Sequence, residues 1–228
     1  MNKIDDARGG NIPAAPGANI ADPGQSSRFN GNGARDTRGK KTVEDMPPIN
    51  KNLEKYLISD RIIELLNNQL QDELVNHNLY RTFSLYYRSK GLHKLEHYFE
   101  LRAQEEMLHH NWIFAYLAYC GIPLQYPEIP AINVDVTNEL DPFKLTQEKE
   151  IETTSTINEI AKQCLAEGDF GTLCWLNGEG AVDGELIPEQ TEEMSISNDV
   201  YRIACQQGDW LSKEDKILDY YCSKRKED

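Results

Sequence analysis

The feature that most constrains the fold is a pair of long amphipathic runs separated by one short turn. Apolar residues recur at steps of three and four over residues 58–88, and again over residues 93–120. Ser59 or Asp60 can cap the start of the first run, and Gly91 is a stop signal between the two. The sequence therefore predicts two long helices that pack side by side in antiparallel directions.

A proline-rich linker follows the second run. Residues 122–130 contain Pro123, Pro127 and Pro130, which rule out a helix there. A third helix is predicted over residues 141–167, so about twenty extended residues connect it to the second, which is too many for a tight turn. A linker of this length can travel the whole length of a helical bundle, and bundles with one long crossover are known.

The fourth helix has an irregular first half. It is predicted to begin near Phe170, but several helix-breaking residues follow: Gly178, Gly180, Gly184 and Pro188. A cleaner helical pattern covers residues 189–204, and a short helix over residues 212–221 closes the fold. Because no strand pattern persists, the predicted fold class is all-α, a four-helix bundle with a short fifth helix at its C-terminal end.

The chain divides by composition into a bundle and two flanking segments. The bundle is assigned to residues 53–222 and a frayed tail to residues 223–228. Residues 1–52 form an arm rich in Gly, Pro, Asn, Ala and Asp, which cannot offset its ordering entropy by itself. We therefore expect a disordered or extended arm. A targeting peptide and a docking segment both remain open, although the arm's acidic residues argue against a transit sequence.

The composition of the chain argues against two classes of binding partner, nucleic acids and membranes. A net charge of -14 argues against binding of a phosphate backbone, so no nucleic-acid partner is expected. The chain has no run of 18 apolar residues and no apolar signal core, so no membrane partner is expected either. Five scattered cysteines without a Cys-x-x-Cys pair are typical of reduced thiols. We predict a cytoplasmic protein, with organellar targeting by the arm left open.

The second helix contains the pair Glu106-x-x-His109, whose members lie on the same helical face. Glu73 lies at the same depth in the hairpin, because the midpoint between Glu73 and Glu106 falls in the predicted turn at Ser89 and Lys90. A carboxylate in this apolar part of the first helix is costly to bury without a partner, and a metal ion would supply one. The alternative is a solvated Glu73 with a capping or core His109.

Acidic residues recur on the third and fourth helices. An acidic run is usually a solvated face, but these two runs lie on helices that pack around the same core. The candidates on the third helix are Glu148, Glu150 and Glu152, and those on the fourth are Glu189, Gln190, Glu192 and Glu193.

At these residues the sequence resembles the bacterial-type non-haem ferritins. Residues 73–80 (Glu-Leu-Val-Asn-His-Asn-Leu-Tyr) resemble their first-helix motif, and residues 103–109 (Ala-Gln-Glu-Glu-Met-Leu-His) their second. Three further segments resemble the remaining motifs of that family: the start of the linker, Glu150 with residues 156–160, and residues 189–193. The resemblance covers about residues 57–221, and the arm has no counterpart in it. It implies a ferritin-like four-helix bundle with one long crossover.

The resemblance also implies roles for individual residues. One iron ion would be held by Glu73, Glu106 and His109, with Gln190 near the oxygen-binding face. A second would be held by Glu106 as the bridge together with Glu150 and Glu193, and a third, weaker site would use Glu105, Glu189 and Glu192. Carboxylates with one imidazole suit iron that cycles between its ferrous and ferric states. Tyr80 would stand beside this di-iron centre as a hydrogen-bond or electron donor, or as an ordinary core tyrosine.

The function that follows from the resemblance is that of a ferroxidase with iron storage. Fe(II) would be oxidised to Fe(III) by oxygen or peroxide, inside a homo-oligomeric shell that in this family commonly has 24 chains. Haem is not expected, because no Met occupies an obvious axial position. One alternative is a structural or binding module with a degraded metal site. A di-iron enzyme for an organic substrate is less favoured, because the fourth helix lacks a second Glu-x-x-His pair.

The fourth helix can be aligned in two frames. Matching by depth from the turn at Gly168 places the partner of Glu150 near residue 186, which favours Asp183 or Glu185. The motif at 189–193 instead requires about seven extra residues, which would displace a ligand by about 10 Å in a continuous helix. The glycines at 178, 180 and 184 allow these residues to bulge out. We prefer the frame with Gln190 and Glu193, which also places apolar residues from 196 onward on the core face.

Overall fold

The computed structural model describes residues 58–123 and 126–225. The predicted arm and the last three residues of the tail lie outside this part of the chain. The described residues form six helices and no strand: α1 (Asp60–Ser89), α2 (His93–Tyr119), α3 (Asp141–Glu167), α4 (Phe170–Leu176), α5 (Leu186–Ala204) and α6 (Trp210–Lys224). The all-α prediction is confirmed. Within the same residues, none of the helices combines the length and the apolar character needed to cross a membrane.

Helices α1 and α2 form the predicted antiparallel hairpin. Ser59 caps α1, since its hydroxyl oxygen accepts a hydrogen bond from the backbone N–H of Ile62 at 3.2 Å. The chain turns through Lys90 and Gly91, and Gly91 adopts a φ of 73° that a side chain would disfavour. The hairpin therefore has the register that places Glu73 opposite Glu106.

The linker after α2 runs along the outside of the bundle. Gln71 of α1 donates to the carbonyl oxygen of Glu128 at 2.5 Å, and Tyr87 of α1 donates to that of Glu139 at 2.6 Å. Gln71 and Tyr87 are separated by about 24 Å of helix. The linker thus spans most of the bundle and brings α3 in beside α1, which confirms the long crossover.

The fourth helix of the bundle is interrupted, and its parts are α4 and α5. Trp175 at the end of α4 is fully buried and stacks on Tyr116 of α2, with ring centroids 4.1 Å apart. Its indole N–H donates to the carbonyl oxygen of Asp183 at 3.1 Å, which ties down the intervening loop. Helix α5 begins at Leu186, three residues before the predicted Glu189. The loop absorbs the extra residues and sets the phase of α5.

Two apolar clusters fill the bundle, one toward each end. The first contains most of the aromatic residues, among them Phe83, Tyr87, Phe99 and Phe143. The second contains mainly aliphatic residues together with Trp175, among them Ile62, Leu66, Leu117 and Ile160. On each of the four bundle helices the buried residues between the two clusters are mainly polar. The fold therefore places one polar layer between two apolar cores.

Helix α6 folds back along α2 and α5. Near its start, Glu214 accepts a hydrogen bond from the backbone N–H of Lys94 at 2.9 Å, and near its end Tyr221 donates to Glu105 at 2.5 Å. Because both contacts join α6 and α2 in the same order, the two helices run in parallel. The tail prediction is wrong for Ser223 and Lys224, which are helical. The contact of Tyr221 with Glu105 holds this end of the helix against the bundle, and that contact is not visible in the local sequence pattern.

The loop between α4 and α5 gives the first testable prediction. A Cβ atom at Gly184 would lie 2.1 Å from the indole nitrogen of Trp175, whose ring is held by its stacking partner. We expect Gly184→Ala to lower the free energy of unfolding by about 1–3 kcal/mol, measured by urea denaturation. Gly171→Ala is the control, because its Cβ would meet its nearest atom, on Asp169, at 3.5 Å. Equal stability of the two variants would contradict the assigned loop structure.

Candidate metal centre

The polar layer consists of seven side chains, each at most 3% exposed: Glu73, Arg102, Glu106, His109, Glu150, Gln190 and Glu193. Each of the four helices α1, α2, α3 and α5 contributes at least one of them. Each lies on a helical face that also carries apolar core residues, so burial of that face carries it inside. Buried charges in such number are costly without compensating cations.

Glu73, Glu106 and His109 form the first group. Their possible ligand atoms all lie within 4.8 Å of one another. The Nδ1 atom of His109 is 4.0 Å from Oε2 of Glu73 and 3.9 Å from Oε2 of Glu106. Gln69 donates to Oε1 of Glu73 at 2.7 Å, whereas Oε2 of Glu73 is buried and accepts no hydrogen bond. This arrangement offers two carboxylates and one imidazole to a single point.

The pKa values of Glu73 and His109 are both raised, which reflects the negative electrostatic potential of the first group. Burial raises the pKa of Glu73 well above its ordinary value, and the neighbouring Glu106 carboxylate raises it further. For His109, burial alone would lower the pKa, but Glu193, Glu106 and Glu73 outweigh it and raise the pKa to about 10. A buried imidazole that keeps its proton to such a pH indicates a site that stabilises cations.

Glu106, Glu150 and Glu193 form the second group, and their ligand oxygens also lie within 4.8 Å of one another. Gln190 donates to Oε2 of Glu150 at 2.8 Å, and Tyr80 donates through its hydroxyl to Oε1 of Glu150 at 2.6 Å. Glu106 belongs to both groups, so one carboxylate is shared between them. Oε2 of Glu193 is buried and has no hydrogen-bond partner.

A guanidinium group also lies in the second group. Arg102 donates to Oε1 of Glu150 at 2.5 Å, to Oε1 of Glu193 at 2.6 Å and to Oε2 of Glu105 at 2.7 Å. It lies over the Tyr80 ring, 5.5 Å from the centroid. Burial raises the pKa of Glu193 to about 8, although Arg102 and His109 act in the opposite direction.

The residues predicted for a third site surround another arginine. Arg225, just after α6, lies 2.7 Å from Glu105, 2.9 Å from Glu189 and 3.1 Å from Glu192. In the described residues these three carboxylates do not form a compact ligand group of their own. Glu189 instead has a ligand atom within 4.8 Å of His109 and Glu193. The predicted set is thus brought together around Arg225, which balances part of its charge.

The remaining candidates separate clearly by exposure. Glu148 and Glu152 on α3 have side chains that are 54% and 66% exposed and pair with surface lysines. Asp183 and Glu185 lie on the exposed loop before α5. The structure therefore brings Glu150, Gln190 and Glu193 into the layer and leaves the other four outside it, as expected for the later frame of the fourth helix.

Three residues of the site were not predicted from the sequence. Gln69 and Arg102 each lie four residues before a predicted ligand, on the same helical face, and this spacing is the signal that could have found them. Arginine is seldom fully buried, so the residue type alone does not mark Arg102 as part of the site. Arg225 follows the predicted end of the last helix, and nothing in its local sequence points to a carboxylate cluster.

Comparison with known proteins agrees with this architecture. A model of the ferritin-like domain family matches residues 63–177, just over half of the chain. The bacterial non-heme ferritin of Staphylococcus aureus is 27% identical over 143 residues, which are 61% of this chain and 80% of that protein. A probable bacterial non-heme ferritin-like protein of Haemophilus influenzae is 26% identical over 144 residues, 63% of this chain and 83% of the relative.

A solved structure extends the agreement in fold. An open pore ferritin from the hyperthermophilic archaeon Archaeoglobus fulgidus aligns with a TM-score of 0.63 at 23% identity, covering 71% of this chain and 98% of that one. The family match ends one residue after α4, so Gln190 and Glu193 lie beyond it. Because that match spans more than half of the chain, the protein belongs to the ferritin family, as a divergent member.

Proposed function

We propose that the protein binds Fe(II) in the polar layer and oxidises it to Fe(III) as part of iron storage. The observation that carries the proposal is the convergence of four buried carboxylates and one imidazole from four helices, with two carboxylate oxygens left unpartnered. Those two atoms, on Glu73 and Glu193, belong to the first and second groups respectively. A buried oxygen without a donor is an unusual cost, and a bound cation would remove it.

The donor set suits iron. Carboxylate oxygens with one imidazole bind both oxidation states, and no thiolate or thioether stands among the seven side chains of the layer. In the first group, Glu73 and His109 would be terminal ligands of one ion. Glu106 would bridge to the second ion, which Glu150 and Glu193 would complete. The names of the relatives, a non-heme ferritin and a probable non-heme ferritin-like protein, support the same metal.

The proposed reaction needs an oxidant and two protons. Two Fe(II) ions lose one electron each, and one O2 that accepts both electrons and two protons leaves as hydrogen peroxide. With hydrogen peroxide as the oxidant, the same electrons and protons give two molecules of water. The protein contributes ligands and geometry. Gln190 holds Glu150 in place, and Tyr80, whose hydroxyl also bonds Glu150, is proposed as a hydrogen-bond or electron donor.

A second candidate function is a ferritin-fold structural or binding module without catalysis. The specific observation in its favour is Arg102, which already supplies a positive charge to Glu150 and Glu193. This reading predicts no rapid iron oxidation, and it predicts that removing Glu106 leaves the protein's function intact.

We expect Fe(II) oxidation to depend on the first group. Purified full-length protein should oxidise added Fe(II) in air faster than buffer, measured by the rise of ferric absorbance. Glu106→Gln and His109→Gln should each slow this phase by at least about tenfold, since each removes a ligand directly. Glu148→Gln is the matched control, because this glutamate is exposed on α3. Oxidation no faster than in buffer, or an unchanged rate in Glu106→Gln, would refute the proposal and favour the structural module.

We also propose that the chain assembles into a homo-oligomeric shell, as the family membership suggests; its size of 24 chains stays a prediction. Light scattering coupled to size-exclusion chromatography should then give a mass many times the 26.1 kDa of one chain. A native mass near that of one chain would exclude the shell while leaving the metal proposal to its own test. The cytoplasmic location and the third iron site likewise stay predictions.

A further inference from the structure

Arg102 is the most unusual residue of the polar layer. Its side chain is 1% exposed, and it donates hydrogen bonds to three carboxylates on three different helices, α2, α3 and α5. A buried arginine is retained only where its charge is matched. Burial would lower its pKa, but Glu193, Glu150 and Glu105 outweigh that effect and raise it. Arg102 is therefore a permanent cation inside the layer.

Its contacts are distributed unequally between the two groups. In the second group it donates at 2.5 and 2.6 Å to oxygens of Glu150 and Glu193, two of the three members. Its ion pair with the first group, between its guanidinium and Oε1 of Glu106, is longer, at 3.8 Å. Oxygens that accept short, charge-assisted hydrogen bonds are poor ligands until those bonds break. The first group is free of this competition.

We propose that Arg102 sets the order and the affinity of metal loading in this chain. The first cation binds to Glu73, Glu106 and His109. The second binds at Glu106, Glu150 and Glu193 in competition with the guanidinium, which must release Oε1 of Glu150 and of Glu193 before those two atoms can bind a cation. The inference rests on the proposed function in so far as it takes both groups to be metal sites, and it makes Arg102 a specificity-determining residue.

The structure also offers a place for the displaced guanidinium. Glu105 already accepts one of its hydrogen bonds, and the Glu105 side chain, which is 18% exposed, also contacts Tyr221 and Arg225 at the end of α6. A guanidinium that turned toward Glu105 would keep one charged partner and leave the second group. Repulsion between two cations that compete for the same carboxylates favours this movement once a metal ion arrives.

The test is a titration of the full-length protein with Zn²⁺, which cannot undergo oxidation. Wild-type protein should bind one equivalent in the layer tightly and a second at least about tenfold more weakly. Arg102→Gln, which keeps a polar side chain without the charge, should tighten the second step by at least tenfold and the first step less, because the ion pair of Arg102 with Glu106 is longer, at 3.8 Å. Arg102→Lys should fall between them. Arg81→Gln is the control, because Arg81 forms an exposed ion pair with Glu100.

A second readout, the melting temperature, takes account of variants that are less stable than wild type. Arg102→Gln leaves buried carboxylates unpaired, so its metal-free form should melt at a lower temperature than wild type. The second equivalent of Zn²⁺ should then raise its melting temperature more than that of wild type. Should Arg102→Gln fail to fold even with Zn²⁺, the Arg102→Lys protein provides the same comparison of stepwise affinities.

The outcomes separate this inference from the proposed function. If wild type fills both sites with equal affinity, or if the charge-removing variant leaves the ratio of the two affinities unchanged, the role of Arg102 is refuted. If the His109→Gln variant binds as much Zn²⁺ as wild type, or if wild type binds none, the first group is not a metal site and the proposed function fails. A merely structural arginine would change stability without changing that ratio.

Discussion

The rest of the structure depends on how the bundle balances a layer of buried negative charge. Four carboxylates lie between two apolar cores. The guanidinium of Arg102 and the protonated imidazole of His109 offset part of their charge. Neither apolar core could close around these groups if they were unpaired, because the desolvation cost of a buried charge exceeds what one apolar side chain contributes. The layer is thus a substantial cost to this fold, and it is the part of the bundle in which a bound cation would be most stabilised.

Several features away from the layer serve to bring its members together. The turn at Gly91 sets the register of α1 and α2, and the crossover along α1 brings in α3. The loop held by Trp175 restarts the fourth helix at the phase that turns Gln190 and Glu193 inward. Had the helix continued unbroken from α4, other residues would face Glu150. The irregular segment therefore determines which side chains can take part in any chemistry.

The sequence predicted those parts of the structure that follow from local periodicity and from distance to a turn. The sequence places Glu73 opposite Glu106 because the two residues are equally distant from the short turn between the first two helices. Ser59 marks the start of the first helix, and glycines mark the ends of several helices. Arg102 shares the helical face of Glu106, but neither its carboxylate partners on α3 and α5 nor the position of Arg225 follows from local periodicity. The positions of both arginine side chains depend on carboxylates brought close by packing of other helices, and an arginine has no apolar pattern that marks it as buried.

The chain thus combines ligand residues expected of a ferritin with internal cations near two of the three predicted sites. In the first group the nearest arginine ion pair is 3.8 Å long, whereas Arg102 engages the second group and Arg225 engages the predicted third as well as Glu193, at 3.5 Å. Metal uptake would then be an exchange of charges in a closed layer, in which an incoming ion replaces protons or a guanidinium. Such an exchange makes affinity depend on residues that never contact the metal ion.

The most direct measurement is anomalous diffraction from crystals of the full-length protein soaked in Co²⁺ at increasing concentration. A site at the first group should appear first, as a peak among Glu73, Glu106 and His109. A second peak, beside Glu150 and Glu193, should appear only at higher concentration and together with movement of Arg102. Crystals with no peak in the polar layer at any concentration, and with Arg102 still bound to both glutamates, would contradict the assignment of this layer as a metal centre.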